Sequence, residues 1–193
     1  VYNTERNNRM VSDETAYRKY LAGDEAAAQL LVERYGDALT LYINGVLGDI
    51  HEAEDLMIEA FAQIFAKARP IHRTGSFKAY LYKTARNLAL RHKRKHRIPF
   101  LRLEELPFEP QSDGLADTEL LRSERERQLY AALEQLKAEY REALYLVYWE
   151  DMSYQSAAAV MGKNVQQVTN LVHRGKKNLK GILERERFDH ADD

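Results

Sequence analysis

The sequence contains no cysteine, so disulfide bonds, thiolate metal ligands and a thiol nucleophile are all excluded. Prolines number only 4 and glycines 9 among 193 residues, which leaves few breaks in local structure. No apolar run is long enough to span a membrane, and the polar segment Val1–Met10 lacks the apolar stretch of a signal peptide. We therefore expect a cytoplasmic protein whose first residues, 1–11, form a disordered lead-in.

Apolar residues recur at three- and four-residue intervals along nearly the whole chain, and no stretch alternates with a period of two. This spacing is typical of amphipathic helices and predicts an all-α fold. Residues that cap helices well precede four of the apolar stripes, at Ser12, Asp24, Asp49 and Ser76. Gly48 stands where the second of these helices should end, because glycine readily adopts a positive φ angle.

Residues 99–118 separate two helical parts of the chain. They hold Pro107, Pro110 and Gly114, carry no sustained helical stripe and are long for a connection inside one compact domain. After them the spacing predicts helices over Asp117–Leu136, Glu139–Trp149, Ser153–Met161 and Asn164–Leu183. We predict two small helical modules joined by a flexible acidic linker, with these bounds: lead-in 1–11, first module 12–98, linker 99–118, second module 119–185, tail 186–193.

The net charge is only −1, from 29 Lys and Arg against 30 Asp and Glu, but the two signs are segregated along the chain. Acidic residues dominate positions 24–65 and the linker, whereas positions 67–97 are rich in Lys and Arg and contain no acid. The last helix is basic again. Long blocks of one sign are uncommon on an ordinary solvated face, and cationic blocks attract phosphates by releasing counterions. The distribution therefore favours contact with nucleic acid through two helices.

The segment from Trp149 to Arg174 has the pattern of a helix-turn-helix. Ser153 can cap a short helix, Gly162 fits a turn that needs a positive φ angle, and Asn164 can cap the next helix. Amides, hydroxyls and cations on the second helix suit base edges in a major groove and the flanking phosphates. Taken alone, this segment is equally compatible with a DNA-binding motif and with a helical hairpin that has only a packing role. The exposed candidates are Gln166, Gln167, Thr169, Asn170, His173, Arg174 and Lys177.

Together these residues resemble the extracytoplasmic-function (ECF) sigma factors of bacterial RNA polymerase, over about Tyr17 to Leu183. Motifs similar to the family's region 2 are Gly23-Asp-Glu-Ala, Leu47-Gly-Asp, Ala53-Glu-Asp-Leu-Met-Ile-Glu-Ala-Phe61 and Gly75–Ala89. Motifs similar to its region 4 are Leu133–Leu146, Met152–Ala158 and Val168–Leu179. The resemblance implies a region 2-like helical bundle and a region 4-like helix-turn-helix. It also implies a sigma factor that directs core RNA polymerase to promoters, without catalysis, cofactor or metal of its own.

The resemblance further implies roles for individual residues. The acids Glu52, Asp55 and Glu59 would bind the clamp helices of the polymerase β′ subunit, and the second module would meet the β flap. Unpaired bases of the −10 element would meet Arg73, Ser76, Phe77 and Tyr80, although Phe77 fits a core position better. Phosphates would be held by Arg86, Asn87, Arg91, Lys93, Arg94 and Lys95. The −35 element would be read by the candidates of the last helix, and an anti-sigma factor is a further partner that the family allows.

Some positions depart from the family's pattern. Thr169 and Leu171 stand where basic residues are frequent, and Gln166-Gln167 stand where Gly-Thr is common, so a −35 preference cannot be transferred. Ile58 stands on the third helix where the family commonly has Gln.

Two other classes of protein remain as alternatives. A stand-alone helix-turn-helix regulator accounts for the second module but not the first. A helical metal-dependent hydrolase is disfavoured, because the histidines show no metal-ligand motif. Only His92 and His96 have a four-residue spacing that could bind one metal ion, and they lie among Lys and Arg residues that disfavour a cation.

Overall fold

The computed structural model describes residues 11–70, 76–96, 129 and 131–189, and every regular element within these ranges is helical. The first module consists of α1 (Asp13–Leu21), α2 (Glu25–Leu47), α3 (Ile50–Lys67) and α4 (Phe77–His96). Outside the described residues lie almost all of the predicted lead-in, the linker, positions 119–128, the candidate Arg73 and the last part of the tail.

Local capping explains where the helices of the first module begin. The Ser12 hydroxyl accepts a hydrogen bond from the backbone N–H of Thr15, and the Asp49 carboxylate accepts from the N–H groups of His51 and Glu52. Such bonds satisfy donors that have no partner within the helix. Gly48 ends α2 with a φ angle of 78°. The predicted starts and the predicted stop of these helices are confirmed, although Asp24, which precedes α2, makes no side-chain cap bond.

The core of the first module lies between α2, α3 and α4, and α1 packs against α2 and α4. Phe77 is fully buried, with its ring centroid 5.2 Å from that of Tyr17 and 6.1 Å from that of Tyr35. Two tyrosines of α1 also reach the end of α3: the Tyr17 hydroxyl donates to the carbonyl of Arg69 and the Tyr20 hydroxyl to the carbonyl of Phe65, both at 3.0 Å. The aromatic residues thus fix the start of α4 against α1.

The second module contains a helical turn at residues 131–134, α5 (Ala138–Leu144), a π-helical turn (Tyr145–Trp149), α6 (Tyr154–Met161) and α7 (Val165–Asp189). The predicted helix Glu139–Trp149 therefore changes hydrogen-bond register in its second half. The last helix was expected to end near Leu183 but continues to Asp189, since neither glycine nor proline follows position 181 to stop it.

Close packing joins α7 to α5. A Cβ atom at Gly175 would lie 3.2 Å from the Cδ1 atom of Leu144 and 3.3 Å from the Cβ atom of Tyr140, so only glycine fits there without a shift. Helix α6 is bounded by two local features. The Ser153 hydroxyl caps its start by accepting from the N–H of Ser156, and Gly162 ends it with a φ angle of 64°. The predicted helix-turn-helix is thus formed by α6 and α7, with α5 as its support.

The two modules contact each other in this structure. Helix α4 packs against α6, and the Tyr145 hydroxyl donates to the carbonyl of Ala38 on α2 at 3.2 Å. A cavity of about 610 Å³ lies at the junction, with Leu41, Leu90 and Arg141 in its lining. In the part of the chain that the structure describes, no helix combines the length and apolarity that crossing a membrane requires.

Candidate nucleic-acid and polymerase interfaces

The residues at the start of α4 mainly cap the helix and pack in the core. The Ser76 hydroxyl accepts a hydrogen bond from the N–H of Ala79 at 3.1 Å, which makes Ser76 the cap of the helix. Phe77, predicted as a contact to an unpaired base, is completely buried between aromatic rings, so it occupies a core position and its ring is not accessible to a base in this conformation. Tyr80 is partly buried against the core, and Arg73 lies outside the described residues.

The C-terminal half of α4 presents the predicted phosphate-binding side chains. Asn87, Arg91 and Lys95 are exposed and follow one another at four-residue spacing, which places them on one face of the helix. Lys93 and Arg94 are also exposed, but each touches a backbone carbonyl: Lys93 that of Val46 at 3.0 Å, and Arg94 that of Leu90 at 3.2 Å. These contacts leave donors on both cations for phosphate oxygens.

Arg86, the remaining cation of that predicted set, is partly buried between the two modules. Its Nε and Nη2 atoms contact the Glu142 carboxylate at 2.6 and 3.2 Å, a two-point pair across the two modules. Burial opposes the charged form of Arg86, but the hydrogen bond and charge of Glu142 outweigh it and raise its pKa above the ordinary value. In this conformation Arg86 cannot hold a phosphate.

The start of α7 is stabilised by its own side chains. The N–H of Asn164 donates to the Gln167 side-chain oxygen at 2.9 Å, and the N–H of Gln167 donates to the Asn164 side-chain oxygen at 2.8 Å. This reciprocal arrangement is a capping box, in which a glutamine takes the place usually held by glutamate. Gln167, predicted as a base-reading residue, is therefore engaged in forming the helix. The Thr169 hydroxyl is likewise engaged, because it donates to the carbonyl of Val165 at 2.9 Å.

The remaining candidates of α7 form a single exposed face. Gln166, Asn170, His173, Arg174 and Lys177 are exposed, and their spacing of three and four residues places them side by side. The Gln166 amide donates to the Asn170 side-chain oxygen at 3.2 Å, so the two amides lie next to each other. An amide pair followed by cations is a surface that can bind base edges first and phosphates further along.

The acidic face of α3 carries the predicted polymerase contacts. Asp55 and Glu59 are exposed, and Glu59 accepts a hydrogen bond from the Gln63 amide at 3.0 Å. Glu52 turns toward α4, where its carboxylate lies 3.3 Å from the His92 Nε2 atom. Ile58 lies between the acids on the surface and is 61% exposed. Within the described residues, no group of three or more His, Asp or Glu side chains is arranged to hold a metal ion.

Sequence reasoning missed the contacts between the modules. Lys78 pairs with Glu150, Arg86 pairs with Glu142, and the Tyr42 hydroxyl donates to Glu142 at 2.8 Å. The partners lie 56 to 100 positions apart in the sequence, so no local pattern connects them. Glu150 is buried in the structure, where charged residues are rarely found unless they are paired.

Two helical modules, one with an acidic helix beside a cationic helix and the other with a helix-turn-helix, are the architecture of a DNA-binding protein. The family model of Sigma-70 region 2 matches residues 31–98, and that of Sigma-70, region 4 matches residues 126–179. The chain belongs to the sigma-70 family of RNA polymerase sigma factors, and the relatives below are ECF members or other sigma factors.

The ECF RNA polymerase sigma factor SigE of Mycolicibacterium smegmatis is 31% identical over 169 residues, which cover 83% of this chain but only 64% of SigE. The RNA polymerase sigma-H factor of Pseudomonas aeruginosa is 28% identical over 181 residues, which cover 89% of this chain and 94% of that protein. Among solved structures, CnrH in complex with the cytosolic domain of CnrY has a TM-score of 0.65 at 20% identity, over 90% of this chain and 97% of that chain. The similarity to CnrH shows that the two proteins share a fold.

Proposed function

We propose that this sigma factor binds core RNA polymerase in the cytoplasm and directs it to promoters, with the first module at the −10 element and the second at the −35 element. The observation that carries the proposal is the presence of one exposed cationic helix face on each module, on α4 and α7, together with an acidic face on α3. Neither module needs a catalytic residue for this role, because recognition and positioning are binding tasks.

In this proposal α7 enters the major groove with its amide pair toward the bases. Gln166 and Asn170 can donate to and accept from base edges, while Arg174 and Lys177 lie further along the same face and reach phosphates. Gln167 and Thr169 act indirectly, because the first holds the helix start and the second bonds to the backbone.

Helix α4 serves the −10 element. Asn87, Arg91 and Lys95 form the phosphate-binding face, and the exposed Lys93 and Arg94 add to its positive field. Because contacts to phosphate carry no base information, selectivity at −10 depends on other residues, and our candidates are Arg73 before α4 and Tyr80 in its first turn.

In this proposal Asp55 and Glu59 on α3 contact basic clamp helices of the polymerase, with Glu52 at the edge of that surface and Ile58 adding apolar area. Charge opposition would speed docking and fix its orientation more than it would raise affinity. For the second module we propose contact with the β flap. We also propose that an anti-sigma factor competes for these surfaces.

Run-off transcription with core polymerase and a library of promoter sequences tests the proposal. We expect enrichment of templates that share two short elements, and no transcripts from core polymerase alone. A parallel pull-down separates this function from the alternative of a stand-alone helix-turn-helix regulator. Association with core that weakens on Asp55→Lys with Glu59→Lys supports the sigma function. Sequence-specific duplex binding without any association with core would instead support the regulator.

A further inference from the structure

The cavity at the junction of the two modules has no part in the function proposed above. Its volume of about 610 Å³ lies within the range of small-molecule sites in proteins. Its lining comes from α2 and α4 of the first module and from α5 and Tyr145 of the second. We call this space the junction cavity. Because both modules line it, the junction cavity exists only while they are in contact.

One part of the lining is apolar. Its apolar and aromatic members are Leu41, Tyr42, Val46, Leu90 and Tyr145. Leu41 is 54% exposed, so apolar area at the cavity is available to a ligand. Removing such area from water is favourable and requires no particular direction of contact. This part of the cavity can therefore hold a hydrocarbon chain or an aromatic ring.

The charged part of the lining has a surplus of positive charge. Its two acids are each paired with a cation: Glu142 with Arg86 at 2.6 Å, and Glu139 with Lys163 at 2.8 Å. The other cations of the lining are Lys93, Arg94 and Arg141. Among the described residues, the side chains of these three contact backbone carbonyls rather than carboxylates. The cavity is therefore complementary in charge to an anion.

Two of these cations come from different modules and meet at the end of α2. The Lys93 Nζ atom donates to the carbonyl of Val46 at 3.0 Å, and the Arg141 Nη2 atom donates to the preceding carbonyl, that of Gly45, at 3.4 Å. Cations are favourable there, because the last carbonyls of a helix lack partners within it. An ammonium has three donors and a guanidinium has five. Both side chains therefore keep donors for the charged group of a ligand.

We propose that the junction cavity binds a small amphipathic anion, namely an organic carboxylate with an aliphatic or aromatic tail. Lys93 and Arg141 bind the carboxylate, and the tail packs against Leu41 and Leu90. An inorganic anion would leave the apolar part of the lining exposed to water, and an amphipathic cation would meet the surplus of positive charge. Because the ligand contacts both modules, its binding stabilises the arrangement in which they touch.

Isothermal titration calorimetry of the full chain tests this site with sodium decanoate, used below the concentration at which it forms micelles. We expect saturable binding of one decanoate per chain. Sodium acetate has the charged group without the tail, and decyltrimethylammonium has the tail with the opposite charge. Each should bind roughly tenfold more weakly or worse, since each lacks one of the two kinds of contact. Equal affinity for decyltrimethylammonium, or uptake of decanoate without saturation, would overturn the proposal.

The only tryptophan of the chain reports whether decanoate enters the junction cavity. The rings of Trp149 and Tyr145 are nearly parallel with centroids 6.3 Å apart, and Tyr145 lines the cavity. We therefore expect the fluorescence of Trp149 to change along the same saturation curve as the heat of binding. An unchanged emission spectrum at full calorimetric saturation would place decanoate elsewhere and contradict the site.

A matched pair of substitutions tests the contact with the carboxylate. Arg141→Gln removes a cation of the junction cavity, whereas Lys83→Gln removes an exposed cation of α4 that does not line it. We expect Arg141→Gln to weaken decanoate binding roughly tenfold, as for the loss of one hydrogen bond between charged groups, and Lys83→Gln to leave it unchanged. Arg141→Lys keeps the charge and should restore most of the affinity. Equal weakening by Arg141→Gln and Lys83→Gln would reflect net charge alone and refute the site.

A substitution at Leu41 tests the contact with the tail. Leu41→Gln should weaken the binding of decanoate and leave that of acetate unchanged, because only decanoate has a tail to bury. Circular dichroism shows whether each variant folds. If Arg141→Gln does not, Lys93→Gln at an exposed position carries the same expectation, and an unchanged affinity in that folded variant refutes the proposal. These measurements need no polymerase, so their failure would leave the proposed promoter function standing, which the pull-down tests separately.

Discussion

Substitutions at two glycines of α7 measure how tightly this helix is packed against α5. A methyl group at Gly175 would meet Leu144 at 3.2 Å and Tyr140 at 3.3 Å, whereas a methyl group at Gly181 would meet nothing within 4 Å. Alanine favours a helix over glycine by about 1 kcal/mol at either position. Overpacking costs about 1–3 kcal/mol, and it applies only at Gly175.

We therefore expect Gly181→Ala to raise the free energy of unfolding by about 0.5–1 kcal/mol. Gly175→Ala should fall about 1–3 kcal/mol below that variant, because both share the propensity gain and only one introduces the close contacts. Urea denaturation followed by circular dichroism gives both values, with a common m-value as the check that the same transition is observed. If Gly175→Ala stabilises the protein as much as Gly181→Ala does, then α5 does not constrain α7 in the way described.

Four further outcomes follow from other contacts. Phe77→Ala should lower the free energy of unfolding by about 3–5 kcal/mol in urea titrations, because the ring is core. Asn170→Ala should weaken binding at particular −35 base pairs by about 1–3 kcal/mol in competition assays, and a uniform loss would indicate a positioning role. Arg91→Glu with Lys95→Glu should weaken promoter binding and flatten its salt dependence, and an unchanged slope would contradict phosphate contact. Burial and the charge of Glu142 raise the pKa of Tyr42, so the neutral phenol is favoured in the folded protein. The free energy of unfolding should therefore be unaffected by Tyr42 ionisation below its ordinary pKa of 10.0 and should fall as the pH rises above it. Absorbance at 295 nm should show Tyr42 titrating together with loss of structure.

The sequence predicted the helices well because their ends depend on neighbouring residues. Ser12, Asp49 and Ser153 cap helices with their own side chains, and such bonds span only two or three positions. The same local logic failed where a side chain had two possible uses. Gln167 is polar and exposed like a base-reading residue, but its position three after Asn164 commits it to the capping box.

Contacts across the linker could not be predicted, because they depend on how two modules meet and not on periodicity. Arg86 has the sequence context of a phosphate-binding cation, since it lies in a block without acids. Its partner Glu142 lies 56 positions away on another helix, in a stretch of mixed charge. Only the three-dimensional arrangement distinguishes Arg86 from Arg91, which is five positions further along and remains exposed.

The π-helical turn at Tyr145–Trp149 determines which way Glu150 points. The N–H of Glu150 donates to the carbonyl of Tyr145, five positions back, so this stretch accommodates one residue more than an α-helix would. An α-helical path through the same stretch would rotate the following side chain by about 100° around the axis. Glu150 would then turn away from Lys78, and the ion pair between these two residues would be lost. The backbone register of this short turn thus determines whether an ion pair can form between the two modules.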